Sequence, residues 1–497
     1  MNKRLFSENF YNRTSYLGAL LAALMFILEI VLFAMDFFSG YSNGYLGLFT
    51  YMILPPILII GLLLIPIGAL QKHYQIKHGV LQNKKLPIFI IDLENQEHRN
   101  ALGVFIVGTA IFLIMTAVGS YKAFNYTESV SFCGTTCHNV MKPEYTAYMG
   151  SAHARVKCVE CHIGSGAGWY VHSKLSGARQ VLKTILNNFS RPIPVPVRDL
   201  RPAKETCEEC HWPGKSFSAI EQEHTYFPND PGEAPRWKIR MLMHVSGGGN
   251  GSAGIHAHMF NNNTIYYVAD DDQRQKISWV KSVNAAGVET IYTSKGSPYI
   301  KAAPSVDKIR KMDCIDCHSR PSHHFQAPVP LVDRAMAEGR INADIPLIKS
   351  KAVAALAKKY ITEPEAVDAI RASLLKYYQE QQASYYAAHE KDVRAGIEAI
   401  IDIYQHNFFP EMGSRWDVYP DNIGHLISPG CFRCHDGEHR TPGGKDISRS
   451  CDRCHTIIEQ GPPDKLQQNI NGLPFEHPFV GNDSLEGTTC SDCHNGS

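Results

Sequence analysis

The sequence predicts a mainly α-helical chain with extensive coil: three N-terminal transmembrane helices, then an extracytoplasmic region with a small β-hairpin insertion. Three observations predict it. Apolar residues are concentrated in the first 120 of 497 residues. All 14 cysteines lie after Gly119, in pairs that are each followed by a histidine. Between the cysteine groups, the hydrophobic period changes from the two-residue repeat of strands to the longer repeat of helices.

The membrane anchor occupies 1–120. Tyr16–Phe38, Tyr45–Leu70 and Ala101–Gly119 are each long enough to cross a bilayer, which needs about 20 apolar residues. The first is too long for a signal peptide and lacks a small-residue cleavage site. Lys3, Arg4 and Arg13 precede it, and the 39–44 connection carries no charge. The 71–100 connection carries Lys72, Lys77, Lys84, Lys85 and Arg99. Positive charge stays inside, so the N-terminus and 71–100 are cytoplasmic. Three crossings then place everything after Gly119 in the periplasm, on the outer side of a bacterial inner membrane. Glu29 lies mid-span, where an ionisable group is costly; it is either a proton relay or a protonated, helix-paired structural residue. A net charge of +1 shows no basic excess and excludes nucleic acid as a partner.

The cysteines carry the chemistry. Six motifs read Cys-x-x-Cys-His: Cys158-Cys161-His162, Cys207-Cys210-His211, Cys314-Cys317-His318, Cys431-Cys434-His435, Cys451-Cys454-His455 and Cys490-Cys493-His494. A seventh, Cys133-Gly-Thr-Thr-Cys137-His138, is longer by one residue. This is the signature of covalent haem c: two thiols add to the vinyl groups and the adjacent histidine binds the iron. Zinc also takes Cys-x2-Cys pairs, but does not require histidine directly after the second cysteine. Here histidine follows every time and no cysteine is left over. The expectation is a multihaem cytochrome c region with seven haems.

Low-spin haems usually take a second axial ligand. Of the 20 histidines after Gly119, 13 lie outside the motifs. His153 precedes the second motif, His425 and His439 flank the fifth, and His477 precedes the seventh. His256 and His258 sit in Gly-Ile-His-Ala-His-Met, and His323 and His324 follow the fourth. These are the candidate distal ligands. His73, His78 and His98 lie on the cytoplasmic side and are excluded.

The spacing divides the exported part into a trihaem domain at 121–215, a loop and hairpin region with the fourth haem at 216–330, a helical segment at 331–425 and a C-terminal trihaem domain at 426–497. Thr264, Tyr266 and Val268 alternate, as do Val288, Thr290 and Tyr292, around an Asn284–Gly287 turn, with Gly247–Gly249 as a breaker. Asp270-Asp271-Asp272 reads as a solvated loop before a cation site. Helical stripes run through Val353, Leu356, Ala357, Tyr360 and Ile361, then Val367, Ile370, Leu374 and Tyr377, then Val393, Ile397, Ile400 and Tyr404. Thr362-Glu-Pro-Glu365 gives a capping-box pattern. These helices read first as a structural spacer. Elsewhere, in 121–215 and 426–497, haem faces replace a core, and irregular coil with short helices is expected. The run Trp169-Tyr170-Val-His-Ser-Lys174-Leu, continuing to Val181-Leu182-Lys183, fits either a helix lying in the membrane interface or one packing on haem.

The Cys-His motif near the membrane, Met141, Ser151-Ala-His153, Cys158–His162, Lys174 and Cys207–His211 together resemble the NapC/NirT family of membrane-anchored quinol dehydrogenases, over roughly 119–215. The resemblance implies that Met141 is a ligand candidate for the first haem and Lys174 lines a quinol pocket. It departs in the longer first motif, in three spans where one is usual, and in Val181 where some members carry an acid. The whole layout is similar to heptahaem inner-membrane cytochromes of metal-respiring bacteria. Together these imply oxidation of a menaquinol-type quinol and transfer to a periplasmic cytochrome c or terminal reductase. The alternative is a non-enzymatic electron-transfer subunit docked to a separate quinone-reactive partner. A nitrite-reducing site of the kind with Cys-x-x-Cys-Lys is absent.

Overall fold

A computed structural model describes residues 8–39, 50, 53–77, 93–94, 96–164, 166–195, 202–211, 219–230, 232, 234–245, 254–260, 263–478, 488–494 and 496. The 39–44 connection beyond Ser39, Lys84, Lys85, His78 and Gly247–Gly249 lie outside them. The chain forms two compact units, Met1–His138 and Asn139–Ser497.

In the first unit, long apolar runs form α1 (Arg13–Ser39), α2 (Leu54–Lys77) and α3 (Gln96–Thr127), followed by the short α4 (Val130–Thr135). Among the described residues, three helices are long and apolar enough to cross a membrane, as expected from the sequence. Between α1 and α2 the side chains are small. A Cβ added to Gly18 would stand 2.7 Å from the Gly61 carbonyl oxygen, and one added to Gly61 would stand 2.8 Å from the Ala22 nitrogen. Such seams let helices associate where lipid removes the hydrophobic drive. The close approach allows Ser15 Oγ to donate to the Ile65 carbonyl at 2.8 Å, and Lys72 Nζ to that of Tyr11 at 3.1 Å. Glu29 on α1 is half-buried, and its Oε2 has no hydrogen-bond partner among the described residues.

The second unit contains α5 (His138–Met149), α6 (Ala167–Ile185) and two antiparallel sheets. One sheet has the order β5-β4-β3-β6, from Glu289–Thr293, Ile277–Val283, Thr264–Ala269 and Arg310–Lys311. It contains the expected hairpin. The Asn284 side chain accepts from the Ala286 and Val288 amides, and Gly287 takes the positive φ of 78° that closes the turn. Asp271 accepts from the Gln275 and Lys276 amides, so this acidic loop builds its own turn.

The other sheet, β1-β2-β7-β8, was not expected. β1 (Ile220–Tyr226) and β2 (Trp237–Met243) pair with β7 (His455–Gly461) and β8 (Gln467–Gln468). This corrects the reading of 426–497 as coil with short helices. β7 starts on a motif histidine, with Met243 opposite His455.

The main apolar core belongs to α7 (Pro328–Ala337), α8 (Ile348–Ala357), α9 (Glu363–Gln381) and α10 (Ala383–Asn407). Leu356, Ile370, Tyr378, Val393 and Ile400 are fully buried. The core is built from its own helices, which suits the spacer reading. Thr362 caps α9 by accepting from the Glu365 amide at 3.3 Å, while the Glu365 carboxylate accepts from Ile361 N at 3.0 Å, one residue before the usual box partner. Ile361 is a correction: α8 ends at Ala357, so Ile361 falls past the stripe and is 79% exposed. Lys349 anchors these helices to the end of β1. Its Nζ lies 2.7 Å from buried Asp333 and donates to the Phe227 carbonyl at 2.6 Å.

Candidate haem-binding sites

The Cys-x-x-Cys-His spacing produces a single helical turn. The histidine amide donates to the first cysteine's carbonyl in four motifs: His211 to Cys207 at 2.7 Å, His318 to Cys314 at 2.8 Å, His435 to Cys431 at 3.0 Å and His494 to Cys490 at 2.8 Å. A turn closed this way brings both sulfurs and the ring to one side. Two of the turns carry a capping box, from Asp313 and Thr489 just before the first cysteine to Asp316 and Asp492 inside the motif. The longer first motif differs. Cys133 lies on α4, whose N-cap Ser129 accepts from Phe132 N, and His138 begins α5.

Six motif histidines each face a second histidine ring. The ring-centre distances are 5.9 Å for His211 with His153, 6.2 Å for His162 with His323 and 6.2 Å for His318 with His256. They are 5.8 Å for His435 with His258, 6.3 Å for His455 with His425 and 6.0 Å for His494 with His477. A metal held between two imidazoles, each bound at about 2 Å with its ring centre roughly 1 Å further back, requires a separation of about 6 Å. The residues therefore fit a haem iron between each pair. Several rings are also held in one orientation. His258 Nδ1 lies 2.8 Å from the Ile255 carbonyl, His435 Nδ1 2.9 Å from that of Ser448, and His323 Nδ1 2.9 Å from that of Glu144. An Nδ1–H engaged with a carbonyl leaves Nε2 to ligate. Burial holds His256, His323, His425, His435 and His455 below the ordinary imidazole range. That favours the neutral ring, which has a lone pair to offer.

Two expected distal candidates are placed otherwise. His439 is buried with both nitrogens engaged: Nδ1 is 2.9 Å from Asp436 Oδ1 and Nε2 is 3.0 Å from the Ile277 carbonyl. That leaves it no free nitrogen. His324 turns to Asp421 at 3.1 Å, while its neighbour His323 faces His162.

The second to seventh motifs adjoin in chain order. Cys161 of the second lies within electrostatic reach of Cys207 and Cys210 of the third. The Cys207 and Cys314 side chains are neighbours, and Ala203 N donates to Asp313 at 3.0 Å. Arg433, inside the fifth motif, donates to the Asp316 carbonyl inside the fourth at 2.7 Å. Cys454 and Cys431 are neighbours, and Cys490 lies near Cys451. The Arg433 and Asp316 contacts were missed at the sequence level, although both residues occupy the variable positions of their motifs. Glu144 on α5 pairs with Arg320 at 2.6 Å and so anchors the segment bearing His323.

α6 is amphipathic. Val171, Leu175, Leu182, Ile185 and Leu186 are exposed, alongside Arg179 and Lys183. Lys174 is half-buried, its Nζ 5.0 Å from the Tyr170 ring centre. Met141 is half-buried on α5.

Comparison with known proteins agrees with this arrangement. The model of the NapC/NirT cytochrome c family, N-terminal region, matches residues 95–193. Cytochrome c-type protein ImcH of Geobacter sulfurreducens is 38% identical over 486 residues, covering 97% of this chain and 95% of the relative. Cytochrome c-type protein NrfH of Wolinella succinogenes is 27% identical over 135 residues, 27% of this chain and 75% of the relative. No solved structure matches the chain. Apolar helices, haem motifs and full-length similarity lead to one assignment: the chain belongs to the NapC/NirT cytochrome c family and is a membrane multihaem cytochrome of electron transfer.

Proposed function

We propose that this protein is a heptahaem quinol dehydrogenase of the bacterial inner membrane, with its haem region in the periplasm. It takes electrons from a menaquinol-type quinol. Bound haem supplies the one-electron steps by which a quinol loses two electrons and two protons, becomes a quinone, and reduces a periplasmic cytochrome c or terminal reductase. The observation that carries the reading is the set of six histidine pairs on motifs that adjoin in chain order. Each pair would hold one iron, and His138 or Met141 would serve the first.

α6 supports the quinol end. Its exposed apolar residues suit the lipid boundary, and Arg179 and Lys183 suit headgroups. Lys174 hydrogen bonds a quinol oxygen, and its positive charge favours the deprotonated form.

The test uses the full chain in detergent with a menaquinol analogue, following haem absorbance. Reduction is expected without another subunit. Lys174→Ala should slow it about tenfold, roughly 1.4 kcal/mol, with haem content unchanged. Normal kinetics in that variant would remove Lys174 from the pocket. No reduction by the unaltered chain until a second subunit is added would make the protein a transfer subunit.

A further inference from the structure

His256 and His258 are separated by one residue, yet they face different motifs. His256 lies 6.2 Å from His318 of the fourth motif, and His258 lies 5.8 Å from His435 of the fifth. Two Cα atoms two residues apart are at most about 7 Å from each other. The segment is anchored through Ile255 and His256 and closed on itself. Ile255 N donates to the His244 carbonyl at 2.8 Å and His256 N to that of Val245 at 3.1 Å, while Ala257 N closes on Gly254 at 2.8 Å. His244 N in turn donates to the Cys454 carbonyl at 2.8 Å. The opposite sides of the two sites are also joined. Arg433 donates to the Asp316 and Arg274 carbonyls at 2.7 and 2.9 Å, and the buried Asp316 carboxylate is clamped by Arg274 at 2.7 Å and Arg310 at 2.9 Å.

We propose that the turn Gly254–His258 is one strap carrying the distal ligands of two haems, His256 for the fourth motif and His258 for the fifth, which makes these haems an interacting redox pair. The inference rests on the six-pair reading given above. The strap makes the two sites unlike. The ring planes at the fourth lie 21° apart, nearly parallel, and those at the fifth lie 89° apart, crossed. Parallel rings act on one of the two iron d orbitals that interact with ligand π systems, and so separate their energies. Crossed rings act on both equally and leave them nearly degenerate. The fifth site therefore gives a highly anisotropic low-spin signal at low field, and the fourth an ordinary rhombic one. An electron added to either iron opposes addition of one to its neighbour.

The experiment uses the full matured chain in detergent. It combines haem content, electron paramagnetic resonance and a redox titration for the unaltered protein, His256→Met, His258→Met and, as a control off the strap, His477→Met. His258→Met is expected to remove a low-field anisotropic signal and His256→Met one rhombic signal, with haem content retained. A thioether ligand raises its own haem's potential, so that haem is reduced earlier and the midpoint of its strap partner moves down. His477→Met should leave both strap haems in place. The proposal is overturned if the two strap variants alter the same haem, or if each alters one haem with no shift in a second. If the variants lose haem, the unaltered protein still decides: a low-field signal whose titration is independent of every other haem rules out the pair. Should His477→Met also leave every signal unchanged, the six-pair reading itself fails; an altered seventh-haem signal there with silent strap variants sinks only the strap.

Discussion

At the scale of single residues, the sites depend on close approaches. Gly430, with φ of 49°, precedes Cys431, and a Cβ there would run into the Gly424 carbonyl oxygen. Cys431 N donates to that same carbonyl, and His425 follows directly. Gly430→Ala should therefore push the His425 ring away from His455. Positive-φ strain and the clash together should cost about 2 kcal/mol or more. A fall in Tm with loss of one low-spin haem signal is the expected readout; an unchanged signal would separate the loop from the sixth site. The buried pair of Lys349 and Asp333 gives a second case. Lys349→Met leaves Asp333 buried without its cation, at a cost of about 3–5 kcal/mol. Burial already holds Asp333 above the ordinary carboxylate range. An acid with a raised folded-state pKa gains stability as pH falls through that value, so the deficit should shrink on acidification. Thermal unfolding of the variant near pH 7 and near pH 5 checks the sign.

At the scale of elements, local signals were legible and distant ones were not. The three spans showed because an unbroken apolar run is a local property. The α7–α10 helices showed because Val393, Ile397 and Ile400 repeat with the helical period, and Ile361 misled because the period continued past the helix end. The Asn284–Gly287 turn was visible in its residue types. β2 and β7 pair across more than two hundred residues, and nothing local in either strand names its partner. In the sequence α6 fits either of two roles, and its exposed Leu175 and Ile185 are the residues on which the proposed interfacial role rests. Replacing Leu175 and Ile185 with Glu should reduce quinol-driven haem reduction severalfold and leave reduction by dithionite unaffected. Equal loss of both would indicate a structural helix.

At the scale of the whole molecule, the motif histidines could be read from spacing alone, because the cysteines fix them locally. Their partners could not. His153 precedes the second motif but faces the third, and His323 follows the fourth but faces the second. Nothing in the spacing separates His439 from His425; ring separation in three dimensions does. His323→Ala should open one iron and produce a single high-spin signal belonging to the second haem, even though the fourth motif is nearer in sequence. This interleaving also bears on biogenesis. Thioether attachment needs only a five-residue turn, whereas completing the second site needs a ring far beyond His162 in the chain. The other five motif histidines face rings that precede them in the chain, so the second site alone waits for a later segment, and an error at His323 should leave that one haem attached but short of its second ring.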